Sequence, residues 1–303
     1  MMNEFDFSRV GKEIKRLRLA LGLSQNDLLD GDLRQSTLSK IENGEIANIR
    51  MVSFLTICER LGVEPDYFIK IAMIDSYPYI DEVTKRMDWH RRRDEFEELY
   101  QIVKAEKENL YFQQQTKPRQ YMLWNEAICI FTIDHNFELA LKQLKAALRL
   151  THKPKKNYNE REIEILVSIA GIQMDQGYSN EAIANYELCL EHLNKIEKLY
   201  NSDIKTKVYS NIVKWKANHQ QNHKSIDLCY LGIDWCQQND SLYLFDNFHY
   251  YLGYNYDLLE EYDKAINYYY QSLEMFEKKN KTEHINIVRE KIENLKDKLE
   301  DNQ

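Results

Sequence analysis

Four short segments of this chain repeat one another. FELALKQLKAAL starts at Phe137, NEAIANYELCL at Asn180, HKSIDLCYLGI at His223 and YDKAINYYYQSL at Tyr262. Aligned on their small residues, they share the anchors Ala140, Ala182, Ser225 and Ala265, spaced 42, 43 and 40 residues apart. A period of this size marks units that cannot bury an apolar face alone and must stack on their neighbours, as helical hairpins do. Only 9 Gly and 4 Pro occur in 303 residues, too few for a fold rich in tight turns or strands. The expected class is therefore all-α.

Twelve residues before the anchors stand Ile128, Ala170, Val213 and Gly253, where the first helix of a hairpin needs a compact residue for its partner to approach. With QGYSNEAIANYELCL and LGYNYDLLEEYDKAINYYYQSL, this pattern resembles the tetratricopeptide repeat, although its period exceeds the usual one and longer helices or turns must absorb the difference. FEELYQIV, from Phe96, reads as a degenerate first repeat. Stacked hairpins coil into a superhelix whose concave face suits an extended peptide; a scaffold that only dimerises is the other reading.

The first seventy residues have a different rhythm. Val10, Ile14, Leu17 and Leu21 recur at helical spacing among basic residues, and Gly22 ends that helix. Ser24 and Asp27 form a capping box for a short second helix, about Gln25 to Leu29. After an Asp30-Gly31-Asp32 turn, a third helix from Gln35 to Asn43 turns Leu38 and Ile41 inward and leaves Gln35, Ser36, Thr37 and Lys40 outward. Val52, Leu55, Ile57 and Leu61 mark a fourth helix ending at Gly62, and Pro65 starts a fifth in which Tyr67, Phe68 and Ile71 pack back.

The run GKEIKRLRLALGLSQNDL, followed by QSTLSKIENGE, resembles the lambda-repressor-like, or XRE-type, helix-turn-helix family over residues 8 to 70. The resemblance implies a third helix lying in the DNA major groove. It also implies that Gln25 grips backbone phosphate while Gln35, Ser36 and Thr37 read base edges. A Gln at position 35 can pair bidentately with adenine, worth about 1 to 3 kcal/mol of discrimination. Lys40 and Arg18 are expected on phosphates, setting register without reading sequence. Two departures stand out: Arg34 replaces the usual small cap and can reach a guanine or a phosphate, and the EIANI loop after Gly44 lacks the frequent proline.

Between the two patterns, Tyr77-Pro78-Tyr79 reads as a helix break, and Trp89-His90-Arg91-Arg92-Arg93 is a basic cluster open to three readings: a nucleic-acid patch, a solvated face, or a basic lip for a ligand carboxylate. The expected domains are 1–72, a helix-turn-helix DNA-binding domain; 73–90, a linker helix; and 91–303, a tetratricopeptide-like peptide-binding domain. This combination resembles the peptide-sensing regulators of Gram-positive bacteria, the Rgg, NprR, PlcR and PrgX group, with most likeness to PlcR. The resemblance implies a cytoplasmic transcription factor of the quorum-sensing kind, a homodimer on a pseudo-palindromic double-stranded operator, whose repeats bind a short imported signalling peptide.

In that group asparagines on inner helices hold the peptide backbone and basic residues near the start of the array hold its carboxylate. A carboxamide suits the task because it can donate to one peptide group and accept from the next. Asn211 matches a family asparagine, with Lys214 a turn on; Asn247 with Tyr251 and Tyr254 is the candidate in the next repeat, and Arg92 and Arg93 are the candidates for the carboxylate. Core packing is the competing role for the two tyrosines. In the repeat near Glu162, Val167 and Gly171 stand where an asparagine is expected.

Charge and motifs bound the remaining function classes. The 41 basic and 49 acidic residues give a net charge of −8, so the molecule as a whole is no electrostatic glove for nucleic acid or anionic lipid. Residues 1 to 70 carry 10 basic and 11 acidic residues, so the acidity lies mostly beyond them. Five widely spaced cysteines with no CxxC read as buried thiols in a reducing compartment. Neither a signal-peptide pattern nor an 18-residue apolar span is present. His219 and His223 form an i, i+4 pair with no third ligand evident, and GxSxG, phosphate-loop and HExxH motifs are missing, so no enzyme, metal or cofactor is expected. ENLYFQ at Glu108 to Gln113 coincides with the recognition sequence of a viral processing protease. A tetratricopeptide adaptor or phosphatase-type regulator acting on protein partners is the alternative to the DNA-binding regulator.

Overall fold

The structure, a computed structural model, describes residues 6–29, 31, 33–45, 49–154 and 156–301. Asp30 and Asp32 of the expected turn and residues 46–48 of the EIANI loop lie outside the described residues. Among the described residues there are helices and turns and no strand. The chain divides into two compact units, Met1–Ile133 and Asp134–Gln303. The division falls inside the first aligned repeat, between the helix of Ile128 and the helix of Ala140.

The first unit opens with α1 (Phe7–Ala20), where the Asp6 carboxylate accepts the Ser8 amide at 2.9 Å and caps the helix. A 3₁₀ turn (Gln25–Leu28) follows, then α2 (Gln35–Glu42), α3 (Met51–Leu61) and α4 (Pro65–Met73). Val10, Ile14, Leu28, Leu33, Leu38, Ile41, Ile57, Leu61 and Phe68 form their common core. Gly11 permits the closest approach: a Cβ there would lie 1.7 Å from the Ile41 carbonyl oxygen, so α1 and α2 touch through backbone. Of the residues that mark the fourth helix in the sequence, Val52 and Leu55 are exposed on α3, which buries Ile57, Cys58 and Leu61.

The expected break at Tyr77-Pro78-Tyr79 falls earlier. The chain turns at residues 74–76, and α5 (Tyr77–Arg91) starts there with Pro78 in its first turn, where a missing N–H costs no hydrogen bond. Next come α6 (Phe96–Glu106), α7 (Leu110–Gln113) and α8 (Thr116–Thr132). ENLYFQ is thus a cap and a helical turn: Asn109 accepts the Tyr111 amide at 3.0 Å, and Phe112 is buried.

The second unit runs α9 (Phe137–Thr151), α10 (Glu160–Asp175), α11 (Ser179–Leu193), α12 (Asp203–Asn218), α13 (Asn222–Gln238), α14 (Phe245–Leu258), α15 (Tyr262–Lys278) and α16 (Thr282–Asp301), each against its neighbour in sequence. All four anchors, Ala140, Ala182, Ser225 and Ala265, are fully buried. The one that is not alanine has work to do: Ser225 Oγ donates to the carbonyl of Val213, its partner position in the first helix, at 3.1 Å and accepts from Asn255 Nδ2 at 2.9 Å. Gly253 is required where it stands, since a Cβ would meet the Tyr269 ring at 2.6 Å. The long period is absorbed by helices of 14 to 17 residues and by the connections between hairpins.

Three of the hairpins, α10–α11, α12–α13 and α14–α15, close the same way. Gly177, Gln220 and Glu260 have positive φ, and the residue after each donates back five positions, Tyr178 to Gln173, Gln221 to Lys216 and Glu261 to Tyr256, each at 2.9 Å. This is the Schellman closure, which satisfies the last carbonyls of a helix. Only Gly177 advertises it in the sequence.

Candidate functional site

Two surfaces carry the candidate residues. On the first unit, Arg34 sits at the N-cap of α2 with backbone in the extended region, and Gln35, Ser36 and Thr37 form the first turn. Arg34, Gln35, Ser36 and Lys40 are exposed and Thr37 half-buried. Leu38 and Ile41, buried beneath, fix which face of α2 looks outward. The first amides of a helix have no intrahelical acceptor, so this end offers N–H groups and a partial positive charge beside the Arg34 guanidinium.

Arg18, expected on a phosphate, is turned inward in the structure. Its side chain is 9% exposed, and Nε and Nη2 donate to the two carboxylate oxygens of Glu42 at 2.6 and 2.9 Å, while Nη1 donates to the Leu23 carbonyl at 2.9 Å. Gln25, half-buried at the start of the 3₁₀ turn, also donates to Glu42, at 2.9 Å. One buried carboxylate therefore ties α1, the turn and α2 together. Burial alone would push the Glu42 carboxyl up, but the hydrogen bonds from Arg18 and Gln25 outweigh it and hold the group below the ordinary range. Nothing local in the sequence distinguishes Glu42 from a surface acid, because its partner is 24 residues away.

The expected capping box is exposed: Asp27 accepts the amide and the hydroxyl of Ser24 at 2.6 and 2.7 Å. Arg60 donates to the Asp27 carbonyl at 2.8 Å, which fastens the turn to α3.

The basic cluster at the end of α5 is sorted by direction. Arg91 pairs with Asp88 and lies 4.3 Å from the Trp124 ring centroid. His90 faces Glu95 at 2.8 Å. Arg92 and Arg93 are exposed, and the Arg93 guanidinium stacks 3.9 Å above the ring of Trp89.

On the second unit α12 and α14 touch directly, first helix against first helix. Lys207, Asn211, Lys214 and Asn218 line one stripe of α12, all exposed except the half-buried Asn211. Asn211 Nδ2 donates to the Lys207 carbonyl at 2.9 Å. One repeat earlier, Ser168 stands at the equivalent position and makes the same bond, to the Glu164 carbonyl at 3.0 Å; of the two positions where an asparagine is expected there, Val167 is buried. On α14, Asn247 is half-exposed. Tyr251 and Tyr254 are committed to packing: Tyr251 meets Tyr250 edge-on and joins the core around Phe248 and Leu252, and Tyr254 stacks on Tyr250 beside Tyr269 and Lys291. Burial pushes the Tyr251 phenol well above its ordinary range.

His219 stacks on Trp215 at 4.2 Å and points Nδ1 to the Trp215 carbonyl. Among the described residues no group of three His, Cys, Asp or Glu side chains could hold a metal ion. The five cysteines are free and buried, and burial pushes the Cys189 thiol up to about 12. Among the described residues, no helix is long and apolar enough to cross a membrane.

Comparison with known proteins agrees with this division of labour. Residues 85–296 match the model of the RNPP family C-terminal domain, and residues 14–68 match a helix-turn-helix model. No curated protein sequence matches the chain. Among solved structures, Bacillus thuringiensis PlcR in complex with the peptide PapR7 and DNA is similar at 20% identity, covering 93% of this chain and 99% of that one, with a TM-score of 0.79. ComR from S. thermophilus in complex with DNA and its signalling peptide ComS is similar at 15% identity, covering 94% and 99%, with a TM-score of 0.61. A cysteine-to-serine variant of Streptococcus dysgalactiae SHP pheromone receptor Rgg2 is similar at 16% identity, covering 93% and 97%, with a TM-score of 0.56.

Proposed function

The chain belongs to the RNPP family, and from that premise we propose that it is a cytoplasmic transcriptional regulator that binds double-stranded operator DNA as a homodimer and is switched by a short signalling peptide. The observation that carries the DNA half is the start of α2: Arg34, Gln35, Ser36 and Lys40 are exposed together on a helix whose attitude is set by the buried Arg18–Glu42–Gln25 network. Gln35 reads a base edge, Arg34 holds phosphate or guanine and Lys40 holds phosphate, while Gln25 meets phosphate from the turn. Arg18 acts one step back, through Glu42.

The peptide half is carried by α12 and α14. Asn211 and Asn247 offer carboxamides, with Lys214 a turn on from Asn211, on two touching helices, a set suited to an extended peptide backbone. Arg92 and Arg93 keep the carboxylate role that the family resemblance gives them, and Tyr251 and Tyr254 serve by shaping the α14 surface.

The test is a titration of operator DNA, selected from random sequence by the purified protein, with and without short peptides from culture supernatant. A peptide that shifts DNA affinity or oligomeric state in the unaltered chain, and fails to do so with Asn211→Ala or Lys214→Ala, is the expected result. A chain that selects no DNA sequence at all sinks the reading.

A further inference from the structure

The connection between the helix-turn-helix helices and α5 is three residues long, Ile74 to Ser76, and its backbone is held by a side chain from far along the sequence. Gln115, at the N-cap of α8, is 8% exposed. Its Oε1 accepts the Asp75 amide at 3.0 Å and its Nε2 donates to the Asp75 carbonyl at 3.1 Å, so one carboxamide closes a two-bond ring on one residue of the connection. Nε2 also donates to the Tyr111 carbonyl at 3.1 Å, which fastens α7 to the same point. The segment around α7 is bolted to α5 as well: Tyr79 Oη donates to Glu106 at 2.7 Å, Asn109 Nδ2 donates to Glu106 at 2.9 Å, and the Tyr79 and Tyr111 rings lie 6.0 Å apart.

The clamped residue adjoins a costly conformation. Ser76, the N-cap of α5, has φ 53 and ψ 36, the left-handed region that a residue with a Cβ adopts only when its surroundings insist. No glycine is present in the connection to make the bend easy. On the other side of Asp75, its carboxylate lies 3.7 Å from Arg9 of α1.

We propose that Gln115 is a positioning residue for DNA recognition, and that the segment Glu108–Gln115 is a strap that sets the direction in which the helix-turn-helix domain leaves α5. A dimeric reader must present two α2 helices about one DNA turn apart, so a hinge left free to swing would spread them over many useless spacings. A two-point amide clamp removes that freedom, and because the clamp belongs to α7 and α8, any displacement of those helices is delivered to Asp75 as a change of exit angle. The purpose rests on the DNA-binding reading; the geometry does not.

The test is made on the full chain without DNA. Because the native cysteines are buried, spin labels can be placed selectively on Lys12→Cys of α1 and Gln101→Cys of α6, both exposed positions. The label distance distribution should be narrow in the otherwise unaltered chain and in Asp75→Ala, which keeps the clamped backbone, and should broaden in Gln115→Met, which keeps the side-chain bulk and loses the two bonds to Asp75 and the one to Tyr111. A Gln115→Met chain that melts as the parent does with an unchanged distribution overturns the proposal, as does an Asp75→Ala chain that broadens as much. Should Gln115→Met not fold, hydrogen exchange at the Asp75 amide of the unaltered chain decides: protection of roughly tenfold or more is expected for this non-helical amide, and exchange at the unprotected rate overturns the clamp. DNA binding is then measured separately, so that broadening in a chain that selects no DNA leaves the clamp standing and removes its purpose.

Discussion

Glu42 concentrates more of the DNA-binding domain's stability than any exposed residue of α2 can. Its carboxylate is buried and receives Arg18 and Gln25, so removing it strands a guanidinium in the interior. Breaking one side of such a pair costs about 3 to 5 kcal/mol, far more than a surface ion pair is worth. Glu42→Ala should therefore lower the urea midpoint of the first unit sharply and weaken DNA binding without removing a DNA contact; a midpoint within error of the parent would mean that the pair is water-exchanged and dispensable. The same group gives a pH signature. Glu42 and Asp246, the latter buried between Lys279 and Lys281 at 3.1 and 3.0 Å, both have folded pKa values below the ordinary carboxylate range despite the upward push of burial. The unfolded chain therefore takes up protons first as pH falls. Their contribution is fully present above about pH 4.5 and is lost progressively below it, as pH drops through the folded values. Denaturation midpoints measured from neutral pH down to 3 should be flat and then fall, and the fall should be shallower in Asp246→Asn.

At the scale of elements, the helical turns between paired helices carry the next prediction. Gln220 and Glu260 occupy the left-handed position that Gly177 occupies one and two hairpins earlier, and a side chain there costs roughly 1 kcal/mol. Glu260→Gly should leave the fold unchanged and stabilise it by up to about 1 kcal/mol, less the extra freedom that glycine gives the unfolded chain. A thermal midpoint that drops would show that the Glu260 side chain has an unseen partner. The ENLYFQ turn offers a second test. A protease binds its substrate extended, yet this stretch is capped by Asn109, continues as α7 and buries Phe112 to 1% exposure. Opening it means exposing a phenylalanine, roughly 2 to 3 kcal/mol, so the native chain should be cut at least about 30-fold more slowly than a free peptide of the same sequence. Equal rates would place the turn in solution. These two cases show what was and was not legible. Helix positions, the anchors and the outward face of α2 follow from periodicity, because burial of one face is a local property of a helical sequence. Gln220 and Glu260 left no mark because hydrogen bonds, not residue type, hold their conformation. The Arg18–Glu42 pair is illegible for a related reason: a basic flank on an amphipathic helix reads alike whether it meets phosphate or a distant carboxylate.

For the molecule as a whole the deciding quantity is charge. With a net charge of −8, and 10 basic against 11 acidic residues in the first 70, long-range attraction to DNA is absent or repulsive, and binding must come from a few local contacts. Affinity for non-specific DNA should then be weak, and the salt dependence modest for a dimer. Each neutralised phosphate contributes about −0.9 to the slope of log K against log salt, so the exposed Arg34 and Lys40 of two protomers, about four phosphates, set an expected slope near −4. Lys40→Gln should reduce that slope by about 2 for the dimer and weaken all sequences alike, because a phosphate contact carries no base information. Gln35→Ala should do the opposite, leaving the slope as it was while relaxing discrimination at one base step in each half-site by about 1 to 3 kcal/mol. Fluorescence anisotropy on the selected operator and on single-step variants, over a tenfold range of salt, separates the two. If Lys40→Gln changed preference between sequences and Gln35→Ala changed only the slope, the roles assigned along α2 would be reversed, and the helix would have to be turned about its axis in the groove.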